Sequence, residues 1–301
     1  MENIFKNPKD FKNPKELVDS LKNEGYVIGE RLSVALYLAL AKGKPLFLEG
    51  EAGVGKTEIA KTLASILKTP LIRLQCYEGL DISQSSYEWN YGKQLISIQS
   101  TDNKNIDLFS KDFLIERPLL KALRQRPSER AVLLIDELDR ADEAFEAYLL
   151  EFLSDWQITI PEIGSIKTEE PPIVVITSNR TREVHDALKR RCYYSWVDYP
   201  DKDTELEILK HRVPQTGPTL QTELVNFVQH LREEELYKSP GIAETIDWAE
   251  ALVELNCVAL DPQTIDSTIG VLLKYQDDIA KIQGSEAVSY THLTLPTTPY
   301  V

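Results

Sequence analysis

Short, largely apolar runs alternate with amphipathic stretches through the first two thirds of the chain. Leu46-Phe47-Leu48, Pro70 to Leu74, Ala131 to Ile135, Ile173 to Thr177 and Tyr193 to Val197 predict strands. Helical spacing between them predicts a helix from Pro14, with Leu17, Val18 and Leu21 on one face, and helices from Glu30 to Ala41 and Lys56 to Leu67. A further helix, Glu143 to Ser154, sets Phe145, Leu149, Phe152 and Leu153 on one side. Unbroken apolar strands are those buried on both faces, so the alternation predicts an α/β fold with a parallel sheet between helical layers. From Asp203 onward the strand signal disappears. Thr204 to Arg212, Leu220 to Glu235, Ile242 to Leu255 and Pro262 to Ile282 carry helical spacing, which predicts a small all-helical second domain. The expected organisation is a flexible lead-in over 1–14, an α/β domain over 15–200, a helical domain over 201–287 and a tail over 288–301. The linker is expected near Tyr199-Pro200-Asp201.

Three stretches are less regular. Tyr87 to Asn90 and Lys93 to Ile98 flank Tyr91-Gly92, a hairpin signal that predicts an insertion near 87–98. A second hairpin is predicted near 157–166, from Gln157 to Ile160 and Ile163 to Ile166 about Pro161. Asp112 to Arg126 is expected to form one amphipathic helix, its basic end (Lys121, Arg124, Arg126) suiting the negative end of a helix dipole. Val288 to Val301 continues no helical pattern and resembles the in-frame translation of a transposon adaptor end used for sequencing libraries. It is expected to be non-native and to carry no fold information.

Composition narrows the class. The 301 residues are 42% hydrophobic and 27% charged, as in an ordinary globular chain. Leu32 to Ala41 is too short to cross a bilayer, is interrupted by Ser33 and is flanked by Arg31 and Lys42, so no membrane insertion is expected. Glu2, Asn3, Lys6 and Asp10 break any apolar core of a signal peptide, and a cytoplasmic location is expected. Cys76, Cys192 and Cys257 make no C-x-x-C pair, and the four histidines make no H-E-x-x-H, which argues against a disulfide framework or a protein-built metal site. A net charge of −14 and a pI near 4.9 argue against a broad nucleic-acid surface.

Gly50-Glu51-Ala52-Gly53-Val54-Gly55-Lys56-Thr57, followed by Glu58, lies between a strand and a helix start and fits G-x-x-x-x-G-K-[ST] without a gap. The glycines let successive N–H groups turn inward as an anion cup, because a phosphate chain must lie against bare backbone. Lys56 supplies a charge for the β- and γ-phosphates of ATP, Thr57 offers its hydroxyl to Mg2+, and the helix presents its positive end. A glycine turn by itself would not require the strand and the helix that flank it. Asp136-Glu137 closes the most apolar strand. A parallel strand delivers such side chains into the crevice at its carboxyl end, where Asp136 can hold Mg2+ through water and Glu137 can polarise an attacking water. Capping of the next helix does not account for the pair, since Asp142 supplies that cap. Asn179 lies just past another strand, within reach of a γ-phosphate or the lytic water; alone it would read as an Asx turn. Arg190 and Arg191 close a short helix, where complementing the dipole is their ordinary role.

Gly50 to Thr57, Val132 to Glu137, Thr177-Ser178-Asn179 and Arg190-Arg191 occur in the order and spacing of the AAA+ ATPases, which the chain resembles from about residue 20 to 285. Asp-Glu-Leu-Asp-Arg-Ala (136–141), then a helix ending in Glu-Phe-Leu-Ser-Asp-Trp-Gln-Ile-Thr-Ile, is similar to the MoxR-type ATPases, and the two hairpins fit that branch's insertions. Leu-Ile-Glu-Arg-Pro-Leu-Leu-Lys-Ala-Leu and Ala-Glu-Thr-Ile-Asp-Trp-Ala-Glu-Ala-Leu look like the carbon monoxide dehydrogenase maturation ATPases. The resemblance implies a P-loop NTPase domain with a helical lid, and a hexameric ring that spends ATP with Mg2+ to remodel a protein client such as a maturing metalloenzyme. It also implies a von Willebrand factor A domain partner. It gives Asn179 the sensor 1 role and makes Arg191, or Arg190, the arginine finger offered to a neighbouring subunit. Ser239-Pro240-Gly241 stands where many relatives have Ser-Pro-Arg, so arginine sensing of the γ-phosphate from the lid is not expected.

Two other readings share the ATP motifs. A nucleic-acid motor or loader is opposed by the −14 charge and by the lack of a DNA-binding module after the lid. A nucleotide-regulated binding module without turnover has only the altered lid in its favour. A GTPase is a poor fit, because Asn103-Lys104 is followed by Asn105-Ile106 and not by the Asp of a guanine-reading Asn-Lys-x-Asp.

Overall fold

The computed structural model describes residues 10–100, 107–125 and 130–285; most of the lead-in and the whole 288–301 tail lie outside them. Two units result, Met1–Gly50 with Lys56–Val197, and Glu51–Gly55 with Asp198–Val301.

In the first unit Asn13 caps α1 (Pro14–Asn23) by accepting the Glu16 N–H, and α2 (Glu30–Lys42) ends on left-handed Gly43. β1 (Leu46–Gly50), α3 (Lys56–Leu67) and β2 (Leu71–Gln75) follow. Next come α4 (Ile82–Ser85), β3 (Tyr87–Trp89), α5 (Tyr91–Ser100), β4 (Leu114–Glu116) and α6 (Pro118–Leu123). The chain continues through β5 (Val132–Asp136), α7 (Glu143–Asp155), β6 (Gln157–Ile160) and β7 (Gly164–Lys167) to β8 (Ile173–Ser178), α8 (Asp186–Lys189) and β9 (Tyr193–Val197).

The five apolar runs pair as one parallel sheet in the order β2-β5-β8-β1-β9. Successive side chains go to opposite faces, and both faces are covered. Phe47, Leu133, Ile135, Val174 and Ile176 pack with α6 and α7, while Leu46, Leu48, Val132, Leu134 and Val175 pack with α1, α2 and α3. The predicted α/β class and P-loop topology are therefore present, with an all-helical C-terminal region after them. Gly50 closes β1 opposite Val197, where a Cβ would lie 2.2 Å from the Val197 carbonyl oxygen. No other residue fits that strand end without moving β9.

Two expectations within the first unit fail. The 87–98 stretch is not a hairpin: β3 pairs antiparallel with the distant β4, and Asn90 Oδ1 accepts the Lys93 N–H at 2.9 Å, which starts a helix where a turn was expected. The 112–126 stretch is not one helix. Arg117 is extended (ψ 173°) because the following Pro118 disfavours the helical region, so a strand precedes the proline and a short helix follows it. The 157–166 stretch is an antiparallel pair, β6 with β7.

The second unit is built from α9 (Lys202–Arg212), α10 (Pro218–Glu233), α11 (Ile242–Glu254), α12 (Pro262–Leu272) and α13 (Gln276–Ser285). The single helix expected over 262–282 breaks at Leu273. Past the break, buried Asp278 accepts the N–H groups of Tyr237 (2.8 Å) and Lys238 (3.2 Å), and Tyr275 packs on Tyr237. Trp248 is fully buried among Leu224, Phe227 and Leu252, and its indole N–H donates to Thr268 at 2.8 Å. Glu205 is fully buried and receives both guanidinium nitrogens of Arg232 (2.7 and 2.8 Å), the Gln229 amide (2.7 Å) and the Thr245 hydroxyl (2.8 Å).

Removing one partner of such a pair leaves an uncompensated buried charge. Arg232→Met is expected to destabilise the second unit by about 3–5 kcal/mol, read as faster amide hydrogen exchange across α9, α10 and α11; unchanged exchange there would refute that weight for the pair.

Candidate active site

The glycine loop adopts the backbone its sequence requires. Gly53 (φ 80°) and Gly55 (φ 89°) are left-handed, and a Cβ at Gly53 would meet Glu244 Oε2 at 2.7 Å within the second unit. In that unit the loop also accepts a hydrogen bond, from the Ala243 N–H to the Gly53 carbonyl at 3.1 Å. Lys56, at the start of α3, is buried, and its ammonium donates to the Gly50 carbonyl at 2.7 Å. Thr57 turns its hydroxyl onto Asp136 Oδ1 at 3.0 Å, which joins the loop's helix to the acidic pair at the end of β5. Asp136 is itself buried; Thr177 donates to the same oxygen at 2.6 Å and Arg73 to Oδ2 at 2.5 Å. Within the first unit, a buried ammonium and a hydroxyl held on a buried carboxylate fit a phosphate group with its divalent cation.

Glu137 leaves the strand in a left-handed conformation (φ 55°, ψ 51°), which costs a non-glycine residue roughly 1–2 kcal/mol. Its N–H donates to Thr177 Oγ1 at 2.9 Å, so that hydroxyl fixes both acids. Glu137 Oε2 accepts from Arg140 Nε (2.9 Å) and Gln75 Nε2 (3.1 Å), while Oε1 has no hydrogen bond among the described residues. Asp139, one turn on and buried, accepts the N–H groups of Asn179 (3.0 Å) and Thr181 (2.9 Å) and the Thr181 hydroxyl (2.6 Å). Burial opposes ionisation of Asp139, but the Thr181 and Asn179 hydrogen bonds prevail and hold its carboxyl below the usual aspartate range. The backbone of Asn179 is thereby tied to the acidic turn, and its side-chain amide makes no hydrogen bond among the described residues. Burial, then the charges of Asp136, Asp139 and Glu137, push the neighbouring Cys76 thiol up to about 12, so it stays protonated.

The remaining predicted residues are dispersed. Glu51 is exposed, Ala52 is half-buried and Val54 is buried, all in the loop; Glu58 faces outward on α3 and pairs with Lys61 at 2.9 Å. Arg191 lies back on its own chain, donating to Ser154 Oγ (2.7 Å) and the Ala187 carbonyl (2.9 Å). Arg190 is exposed, and its guanidinium makes no hydrogen bond or ion pair among the described residues. Neither arginine is bonded to the loop, the acidic pair or Asn179 of the same chain.

Sequence reasoning missed Thr177, Asp139, Arg73, Gln75 and the Glu49 cluster. Buried Glu49, at the end of β1, holds Lys189 of α8 at 3.1 Å and accepts the Tyr194 hydroxyl at 2.9 Å. Arg73 and Gln75 had a readable signal, since they alternate with the buried Ile72 and Leu74 and so share one face of β2.

Residues 45–192 match the family described as the AAA domain, dynein-related subfamily. The chain thus carries an AAA domain. An uncharacterised protein of Staphylococcus epidermidis is 27% identical over 223 residues, which cover 72% of this chain and 78% of that protein. An uncharacterised protein of Staphylococcus haemolyticus is 27% identical over 220 residues, covering 71% and 77%. Among solved structures, the Thermotoga maritima RuvB Holliday junction branch migration motor is similar with a TM-score of 0.46 at 19% identity, covering 93% of this chain and 80% of that one.

The folded Asp139 carboxyl titrates below its unfolded value of about 3.9. Its contribution to stability is therefore complete above that pH and fades as the pH falls toward the folded-state value. Asp139→Asn is expected to cost about 1–3 kcal/mol at pH 7, with the gap to wild type narrowing below about pH 4 in denaturant titrations; a pH-independent gap would exclude this role.

Proposed function

We propose that the AAA domain over residues 45–192 makes this chain a magnesium-dependent ATPase that works in an oligomeric ring to remodel a protein client. The observation that supports the reading is the 3.0 Å hydrogen bond from Thr57 to Asp136, because a hydroxyl and a carboxylate so paired are the groups that would hold magnesium with the phosphates. The loop N–H groups and Lys56 hold the β- and γ-phosphates. Magnesium on Thr57 and Asp136 would neutralise charge on the phosphates as the γ-phosphoryl leaves. Glu137 orients the attacking water and takes its proton through Oε1, the oxygen left open by Arg140 and Gln75. Asn179 turns its free amide to the γ-phosphate or to that water.

Within this family we favour a MoxR-type chaperone, closest in its sequence signatures to the carbon monoxide dehydrogenase maturation ATPases. Asp136 to Ala141 and the β6–β7 hairpin support that branch. The reading brings with it a hexameric ring, a von Willebrand factor A domain partner, a metalloenzyme client, a helical lid over 201–287 and a cytoplasmic setting. No helix among the described residues is long and apolar enough to cross a membrane. A neighbour's arginine would stabilise the transferring phosphoryl, an effect on the order of a thousandfold or more. Arg190, exposed and unengaged, suits that role better than Arg191, which Ser154 and Ala187 occupy.

Lys56→Ala is expected to abolish ATP binding in a fluorescent-nucleotide titration. Glu137→Gln should bind ATP normally but turn it over about a hundredfold or more slowly, and normal turnover would remove Glu137 as the base. In concentrated protein, Arg190→Ala should lose turnover while keeping nucleotide binding, and Arg191→Ala should lose less; the reverse order would move the finger to Arg191. Stimulation of turnover by DNA would redirect the reading to a nucleic-acid motor.

A further inference from the structure

Asp136 already has a cation. Its Oδ1 receives two neutral hydroxyls, from Thr57 and Thr177, and its Oδ2 receives the Arg73 guanidinium at 2.5 Å. The carboxylate is only 3% exposed, whereas the arginine side chain is 52% exposed. The pair is therefore asymmetric: the anion is fixed in the sheet, and its counter-charge reaches in from solvent on a flexible stem. Arg73 also donates to Gln75 Oε1 at 2.6 Å, two residues along the same face of β2, so the guanidinium has a second acceptor close by.

We propose that Arg73 is a resident counter-cation that competes with magnesium for Asp136 Oδ2, so that metal-bound nucleotide is taken up by exchange of a guanidinium for a divalent cation. This rests on the magnesium–ATP reading of the site. Unlike Asp139, the Asp136 carboxylate accepts no backbone N–H among the described residues, only two hydroxyls, so a positive charge beside it, Arg73 or magnesium, offsets the cost of its burial. Arg73 can leave because half of its side chain is already solvated, and Gln75 keeps one of its two hydrogen bonds. Both of these hydrogen bonds leave Nη2, so a lysine at this position would supply the charge and two donors from a single ammonium. Arg73 is thus a positioning residue that sets how much magnesium the nucleotide site requires; it does not take part in the chemical step.

The test compares wild type, Arg73→Met, Arg73→Gln and Arg73→Lys by titrating magnesium at a fixed concentration of fluorescent ATP analogue, without reading turnover. Loss of a half-exposed competing ion pair is expected to lower the magnesium midpoint about fivefold in both neutral variants, with the lysine variant near wild type. Thermal unfolding without nucleotide should show both neutral variants melting lower in EDTA and recovering part of the difference with magnesium alone. An unchanged midpoint in whichever neutral variants fold, or an equal shift in the lysine variant, would overturn the competition. Wild-type protein that binds ATP with no dependence on magnesium would also overturn it while leaving ATP binding intact. Wild-type protein that binds no nucleotide would overturn the ATP reading and the exchange together.

Discussion

A single buried carboxylate, that of Asp136, sets terms for the whole first unit. Moving a carboxylate out of water costs several kcal/mol unless donors replace the lost hydration. Here the donors come from three places distant in sequence: Thr57 at the start of α3, Thr177 in β8 and Arg73 in β2. They can meet only if β5 lies between β2 and β8 in the observed register, with Gln75 opposite Asp136 and Ile135 opposite Ile176. A slip of one residue would turn Asp136 to the other face and leave its charge unanswered. The apolar side chains supply most of the burial, but they tolerate neighbouring registers better than this anion does.

The same device recurs. Glu146 of α7, buried, receives the Arg182 guanidinium and the His185 N–H at 2.8 Å, which pins the loop between β8 and α8. Glu205 does likewise for the second unit, where Arg232 bound to it also donates to the Pro240 carbonyl at 2.9 Å. Each carboxylate sits on a regular element; the donors of Asp136 and Glu205 lie on other helices and strands, while those of Glu146 lie in the loop before α8, and Arg232 carries the Glu205 tie on to the Pro240 loop. Loops that hydrophobic packing could not place are held by charge and hydrogen bonds.

What the sequence revealed divides by the range of the interaction. The glycine loop, the apolar strands, the acidic pair, the helix start at Pro14 and the cap at Asp142 were legible because each is decided by neighbours a few residues away. The helices from Glu30 and Lys56 were placed for the same reason. The 87–98 stretch was misread because β3 finds its partner in β4, across a helix, and a local aromatic pattern cannot announce a distant strand. The 112–126 helix overlooked a rule that was available, the effect of Pro118 on Arg117. At the site, Thr177 was hidden inside an apolar run, and Asp139 among other acids, since nothing in either residue tells which oxygen will face which donor. The position of Arg190 and Arg191 was readable, but the engagement of Arg191 by Ser154 was not.

The left-handed backbone at Glu137 also bears on how this chain can vary. Glycine would occupy φ 55°, ψ 51° without the steric cost a glutamate incurs, so selection for stability alone would favour replacing the acid. A β-branched residue would be worse than either. Under the proposed role of Glu137 as the base, the position sits where foldedness and activity pull apart, and a screen that rewards thermal resistance alone would trade the acid for a sturdier backbone.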